Sequence, residues 1–155
     1  MSGVKKWWEV TVMFMGEFNH TIDPKNRIIV PAKFRESLGD IFVIMIGLDG
    51  CLYLTTKEYW DAFAERLASL PFTAESRKLQ RHFLRNSQEC EPDKQGRILI
   101  PQNLKDLAGL EKDVVMVGSG NKIEIWSKER LDKITEDDEA EELTEKMSVE
   151  YNLKF

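Results

Sequence analysis

Asp23-Pro24-Lys25-Asn26-Arg27-Ile28-Ile29-Val30-Pro31 returns 70 residues later as Asp93-Lys94-Gln95-Gly96-Arg97-Ile98-Leu99-Ile100-Pro101. Over the 17 positions from Asp23 to Gly39 the second copy keeps the aspartate, the arginine, one isoleucine, the proline and the glycine. Five further exchanges are conservative: Ile29/Leu99, Val30/Ile100, Phe34/Leu104, Arg35/Lys105 and Glu36/Asp106. A chain that writes one segment twice has two equivalent halves. An arginine presented twice on such a unit suits a repetitive, anionic partner.

The repeated segment carries turn chemistry. Aspartate suits the first position of a type I turn, proline pre-sets the next backbone angle, and asparagine tolerates the left-handed region. A three-residue hairpin loop closed by a bulge is expected, with Gly96 taking the left-handed position in the second copy. Each loop would join two strands, roughly 14–22 with 27–30 and roughly 86–92 with 97–100. Pro31 and Pro101 then stand where a first helical turn needs no amide donor, and Gly39 and Gly109 stand where a short helix stops. Further strands are expected at Ile41–Gly47 and Leu52–Thr55, with counterparts at Val114–Gly118 and Lys122–Trp126. Lys122-Ile123-Glu124-Ile125-Trp126 alternates as a half-buried strand does. Gly118-Ser119-Gly120-Asn121 reads as the turn between its two strands.

Helical sequence separates the copies. Thr55-Thr56-Lys57-Glu58 offers a capping box. Trp60, Phe63, Leu67 and Leu70 follow at helical spacing until Pro71. A linker helix spans 74–86, and a third helix starts at Ser127 and runs to about Ile134. The tail beyond it fits either a helical extension through Leu143 and Met147 or a charged, disordered segment. Neither half alone is large enough to bury a good core. The sequence therefore points to an α+β fold in which two halves interleave their strands into one small barrel around a pseudo-twofold axis. The divisions are an N-terminal extension (1–12), a first repeat (13–72), a linker helix (73–89), a second repeat (90–134) and an acidic tail (135–155).

The net charge of −5 hides a division. Residues 135–155 carry eight acids and two lysines, so the tail is −6 and the other 134 residues sum to +1. A nucleic-acid binder of this kind must concentrate its cations on one face or multiply them by oligomerisation. The two cysteines, Cys51 and Cys90, stand apart from any metal-ligand spacing and read as free thiols of a reducing compartment. The longest apolar run, Ile41–Leu48, is too short to span a bilayer. The first residues lack the pattern of a signal peptide. No metal, cofactor, membrane or small-molecule substrate is expected, and the expected location is cytoplasmic.

Several segments together resemble the MraZ family, within the AbrB/MazE-like group of swapped-hairpin proteins. They are Met13-Phe14-Met15-Gly16-Glu17-Phe18, His20-Thr21-Ile22-Asp23, Lys25, Arg27, Pro31-Ala32-Lys33-Phe34-Arg35, Asp93, Gly96-Arg97-Ile98 and Ile100-Pro101. The resemblance runs from Met13 to about Ile134. It implies a pseudo-twofold swapped-hairpin β-barrel and a bacterial, nucleoid-associated transcription regulator. That regulator would act on the division and cell-wall gene cluster in which its own gene usually lies first. It further implies closed rings of many subunits and operators of short, G-containing direct repeats near the promoter. The first copy departs from the family in having Asn26 where glycine is usual. Residues 1–12, with Trp7-Trp8, precede the family's usual start, so they are a mis-assigned start, a cloning remnant or a real extension.

The candidate site follows from side-chain chemistry. A guanidinium fork matches O6 and N7 of guanine in the major groove. Arg27 and Arg97 are the expected base readers, and Asp23 and Asp93 would fix their direction. Lys25 and Lys94 in the loops, with Lys33, Arg35 and Lys105 on the short helices behind, would contact phosphates and set register without reading sequence. The competing explanation is that each Asp–Arg pair simply staples its turn and the lysines form a solvated face. Arg77, Arg81 and Arg85 form one stripe on the linker helix, suited to phosphate or to acids of the same or a neighbouring subunit, with Leu79 and Phe83 buried on the other face. His20 and His82 lack triad partners and read as structural. Met13-Phe14-Met15 and Trp7-Trp8 read as core or, preferably, subunit interface. Three function classes remain: an oligomeric DNA-binding regulator first, an antitoxin-like or scaffold interaction barrel second, and a small barrel enzyme using Ser119 or His20 last.

Overall fold

The computed structural model describes residues 12–136 and 139–154. Strand β1 (Glu17–Thr21) leads through the first turn into β2 (Arg27–Ile29) and helix α1 (Ala32–Leu38). Strands β3 (Phe42–Ile46) and β4 (Leu52–Thr56) follow, then α2 (Lys57–Ala68) and α3 (Ala74–Arg85). The same order then recurs as β5 (Ser87–Cys90), β6 (Arg97–Leu99), α4 (Gln102–Leu107), β7 (Asp113–Gly118), β8 (Ile123–Ser127), α5 (Lys128–Ile134) and α6 (Ala140–Tyr151). The tail carries α6 as a separate helix, since α5 stops at Ile134 rather than continuing through Leu143 and Met147. In chain order α6 closes the second half as α3 closes the first.

The strand pairing is α+β and antiparallel, and it is itself symmetric. Six strands form one sheet in the order β1-β7-β8-β4-β3-β5, and β2 and β6 form a separate ribbon. Exchanging each strand for its repeat equivalent reproduces both orders, which is the signature of a pseudo-twofold axis. That axis passes between Ile28 and Ile98, directly paired at the centre of the ribbon. Matching bonds run from Val30 N–H to Gly96 O and from Ile100 N–H to Asn26 O.

Two expectations change here. The repeated turn closes as a hairpin for one residue pair only, Asp23 N–H donating to Arg27 O. The flanking strands then part: β1 pairs with β7 of the other half, and β2 pairs with β6. The physical reason is burial. Exchange places Ile28, Val30, Phe34 and Leu38 of the first half in one apolar cluster with Ile98, Ile100, Leu104 and Leu110 of the second. The second change concerns closure. No ladder among the described residues joins β1 to β5, so the sheet keeps two edges and no closed barrel is formed by strand pairing.

Both sheet faces are covered, which is why Phe42–Ile46 is apolar throughout. One face, with Phe42, Ile44, Leu52, Leu54, Met116 and Ile125, packs beneath the ribbon, α1 and α4. Phe34 anchors it edge-on to Phe14 at 5.8 Å and Phe18 at 5.0 Å. Phe14 is therefore core, whereas Met13 and Met15 are exposed; Trp7 and Trp8 lie outside the described residues. The other face, with Val43, Met45, Tyr53, Val115 and Trp126, packs against Tyr59, Trp60 and Phe63 of α2, Phe83 of α3 and Leu131 of α5.

The helix starts are chemically set. Thr56, Thr73 and Ser127 each accept a backbone N–H from three residues on. The cap of α2 is thus Thr56, one residue later than the expected box, and Pro31 caps α1 from just outside its first turn. Among the described residues no helix is long and apolar enough to cross a membrane.

Candidate nucleic-acid interface

Each repeated turn is organised by one carboxylate. Asp23 Oδ1 accepts the backbone N–H groups of Lys25 and Arg27, both at 2.9 Å, while Oδ2 accepts Arg27 Nε–H at 2.7 Å. The second turn repeats this: Asp93 Oδ1 takes Gln95 and Arg97 N–H at 2.9 Å, and Oδ2 takes Arg97 Nε–H at 2.8 Å. Asn26 (φ 60°) and Gly96 (φ 79°) hold the left-handed position, as the turn chemistry requires. Desolvation pushes the Asp23 carboxyl up, but the Arg27 backbone N–H, its guanidinium and the Lys25 N–H outweigh it, so the carboxyl lies below its ordinary range. Asp93 is likewise lowered, first by the Arg97 backbone N–H. Both carboxylates are therefore charged at neutral pH.

This geometry leaves the working end of each arginine available. The aspartate engages only Nε, so the terminal nitrogens of Arg27 have no protein partner among the described residues. At Arg97 one of them, Nη2, donates to Gln95 Oε1 at 2.7 Å. Both side chains are partly exposed, 31% for Arg27 and 26% for Arg97.

The ribbon brings the arginines together. Arg27 pairs with Leu99, and Ile29 pairs with Arg97. Strand alternation sends Ile28 and Ile98 into the core and the other four residues outward. The outer face is thus Arg27, Ile29, Arg97 and Leu99, with the arginines as diagonal neighbours about 7–8 Å apart at Cα. Ile29 is 45% and Leu99 55% exposed. Sequence reading missed these two as presented apolar groups, although they are the odd members of Arg-Ile-Ile-Val and Arg-Ile-Leu-Ile.

The remaining site residues fall into two sets. Lys25, Lys94 and Lys33 are exposed, and none has an ion-pair partner among the described residues. Arg35 and Lys105 instead brace the turns, each reaching the other half. Arg35 donates from Nε to Val30 O at 2.9 Å, and its guanidinium lies where a Cβ on Gly96 would fall. Lys105 donates to Asn26 Oδ1 at 2.9 Å. Asn26 also donates to Gln102 Oε1 at 3.0 Å, and Gln102 donates to Asp106 at 2.8 Å. Sequence reading missed Gln102 because its partner lies 76 residues away.

The arginine stripe of α3 finds no acid among the described residues. Arg77 lies over the Phe72 ring at 5.6 Å, while Arg81 and Arg85 line an open groove with Lys78 and His82. Phe83 is packed edge-on to Phe63 at 5.1 Å, but Leu79, expected to be buried, is 44% exposed, since no described element covers that side of α3. His20 is partly buried, and that burial lowers its pKa. Ser119 sits in the β7–β8 turn, donating its N–H to Lys122 O. No cluster of His, Cys, Asp and Glu among the described residues could hold a metal ion.

Sequence comparison agrees with the duplication. The family profile described as "MraZ protein, putative antitoxin-like" matches twice, over residues 13–82 and 83–150, so each match ends in α3 or α6. The protein named Transcriptional regulator MraZ in Lachnoclostridium phytofermentans is 55% identical over 143 residues, covering 92% of this chain and 100% of that relative. Its namesake in Heliobacterium modesticaldum is 55% identical over 125 residues, 80% of this chain and 87% of the relative. The namesake in Clostridium beijerinckii is 49% identical over 138 residues, 88% and 97%. With two profile matches spanning both halves and relatives of this identity aligned over nearly their whole length, the chain belongs to the MraZ family.

Proposed function

We propose that the chain is a sequence-specific DNA-binding transcriptional regulator of the bacterial nucleoid, acting in the cytoplasm on the division and cell-wall gene cluster. The observation that carries this reading is the outer face of the β2–β6 ribbon, where two aspartate-oriented arginines flank two exposed aliphatic residues. Nε-only anchoring fixes the direction of each guanidinium yet leaves terminal donors to form bidentate bonds with guanine O6 and N7. Fixing a long side chain beforehand lowers the entropy lost on binding. Ile29 and Leu99 would meet thymine methyl groups, and Lys25, Lys94 and Lys33 would meet phosphates. Arg35 and Lys105, as cross-braces, would set the height of the turns above the duplex. The relatives' shared name, transcriptional regulator, supports the same reading.

One protomer offers little net positive charge, since each arginine is matched by its aspartate. Self-association into a ring would multiply the ribbons. Engagement of a second direct repeat then becomes intramolecular, raising avidity by about 10²–10⁴. In this reading the interleaved sheet and ribbon serve as the swapped-hairpin barrel of the AbrB/MazE-like group, and no catalytic role is assigned. The test is a fluorescence-anisotropy titration of the protein against the duplex upstream of its own gene, with a scrambled duplex as control. The reading expects tight, steeply salt-dependent binding to the first and weak binding to the second. Equal binding to both would move the interaction-barrel reading, in which the turns grip a protein, to first place.

A further inference from the structure

The two halves end in equivalent helices of opposite charge. Helices α3 and α6 are both 12 residues long and hold the same place in their repeats. Arg77, Lys78, Arg81 and Arg85 against Glu75 give α3 a net +3, and Glu141, Glu142, Glu145 and Glu150 against Lys146 give α6 a net −3. Among the described residues neither helix has an ion pair. The only buried residue of α3 is Ser76, and α6 has none. Both leave apolar groups in solvent. Leu84 is 54% exposed on α3 and Phe72 just before it 95%, while on α6 Leu143 is 46% and Met147 40% exposed.

The basic side of α3 also forms a receptacle. Lys78, Arg81, His82 and Arg85 wall one side of an open groove of about 550 Å³, facing Asn103, Asp106 and Leu107 of α4. Asp106 is the one acid on that wall and is already bonded to Gln102.

We propose that α6 of one copy docks against α3 of the next, its glutamates answering the α3 cations and Leu143 and Met147 covering Leu84. This rests on the self-association read above and supplies its surfaces. The contact joins different patches on the two partners, so it is head-to-tail. Each chain keeps one free basic and one free acidic end, and such contacts propagate until a ring closes. Duplication followed by opposite charging of one helix converts a self-complementary fold into a directional one.

The test is sedimentation velocity on the full chain without DNA, so that its failure is separate from failure of the DNA reading. Charge reversal by Arg77→Glu/Arg81→Glu/Arg85→Glu carries α3 from +3 to −3, and Glu142→Lys/Glu145→Lys/Glu150→Lys carries α6 from −3 to +3. Each triple variant alone is expected to lose the large assembly while keeping the parental circular dichroism. An equimolar mixture is expected to regain it, because the two altered helices carry opposite charges and so do the two intact ones, so the contacts alternate between the variants. A single chain with all six substitutions should also assemble. The proposal is overturned if the parent is monomeric, if either triple variant assembles as the parent does, or if the mixture stays dissociated. Should the α3 variant keep its assembly but lose salt-dependent binding to duplex, the stripe is a phosphate contact instead.

Discussion

Asp23 and Asp93 each close a turn and aim an arginine with two oxygens, so they are where the functional account is most sensitive to single atoms. Asp23→Asn/Asp93→Asn keeps an acceptor for the backbone N–H groups but removes the charge that holds Nε. Specific duplex affinity should fall by about tenfold, measured by anisotropy, alongside a modest drop in Tm at neutral pH from the lost carboxylate contribution. Arg27→Lys should lose about 5–100-fold, since an ammonium has no planar fork to match guanine. The two carboxyls also make a pH prediction. Their folded pKa values lie below the ordinary 3.8, so their contribution to stability is complete above that value. It is lost as pH falls below 3.8 through the folded values, because only then does the folded state take up these protons. Thermal melts across that window should be flatter in the double Asn variant than in the parent; parallel curves would remove the carboxylates from the acid transition. Burial pushes both thiols, Cys51 and Cys90, up to about 12. Ellman's reagent at pH 8 should therefore react slowly with the native protein and rapidly once denaturant is added.

At the scale of elements, the turns are held from across the pseudo-twofold axis. Gly96 is the sharpest case: its φ of 79° disfavours a side chain, and a Cβ there would fall 2.7 Å from the Arg35 guanidinium carbon. Gly96→Ala should cost about 1–2 kcal/mol in chemical denaturation. In an Arg35→Ala background that cost should shrink as the contact disappears, leaving the backbone part. A cost unchanged by the Arg35 substitution would mean that the brace does not press on the turn. This level also shows what the sequence could convey. The left-handed positions, the helix stops and the strands of each hairpin were legible because they depend on local chemistry, such as Asn26, Gly96 and the alternation of Lys122–Trp126. The partner of β1 was not legible, since nothing within Glu17–Thr21 distinguishes pairing with β2 from pairing with β7. The orientation of Arg27 by Asp23 is an i,i+4 relation and could be anticipated, whereas Lys105 and Gln102 on Asn26 are links between halves that only the fold reveals.

For the whole molecule, strand exchange means that neither half owns a complete core. Residues 12–86 and 87–154 expressed separately should each lack a cooperative melt, and mixing them should restore one; a stable isolated half would contradict the shared cluster. On the proposed reading, duplication also explains how a chain of net charge −5 could suit DNA: the arginine turns recur rather than accumulate charge. The most direct test of that claim is the ratio of affinities for the upstream duplex and its scrambled counterpart, measured for the parent and for Arg27→Ala/Arg97→Ala at matched salt. The account predicts a large ratio for the parent that collapses toward one in the double variant, while its weak, salt-dependent binding to scrambled DNA persists. A double variant that keeps the parental ratio would reduce the Asp–Arg pairs to turn staples and place sequence recognition elsewhere on the molecule.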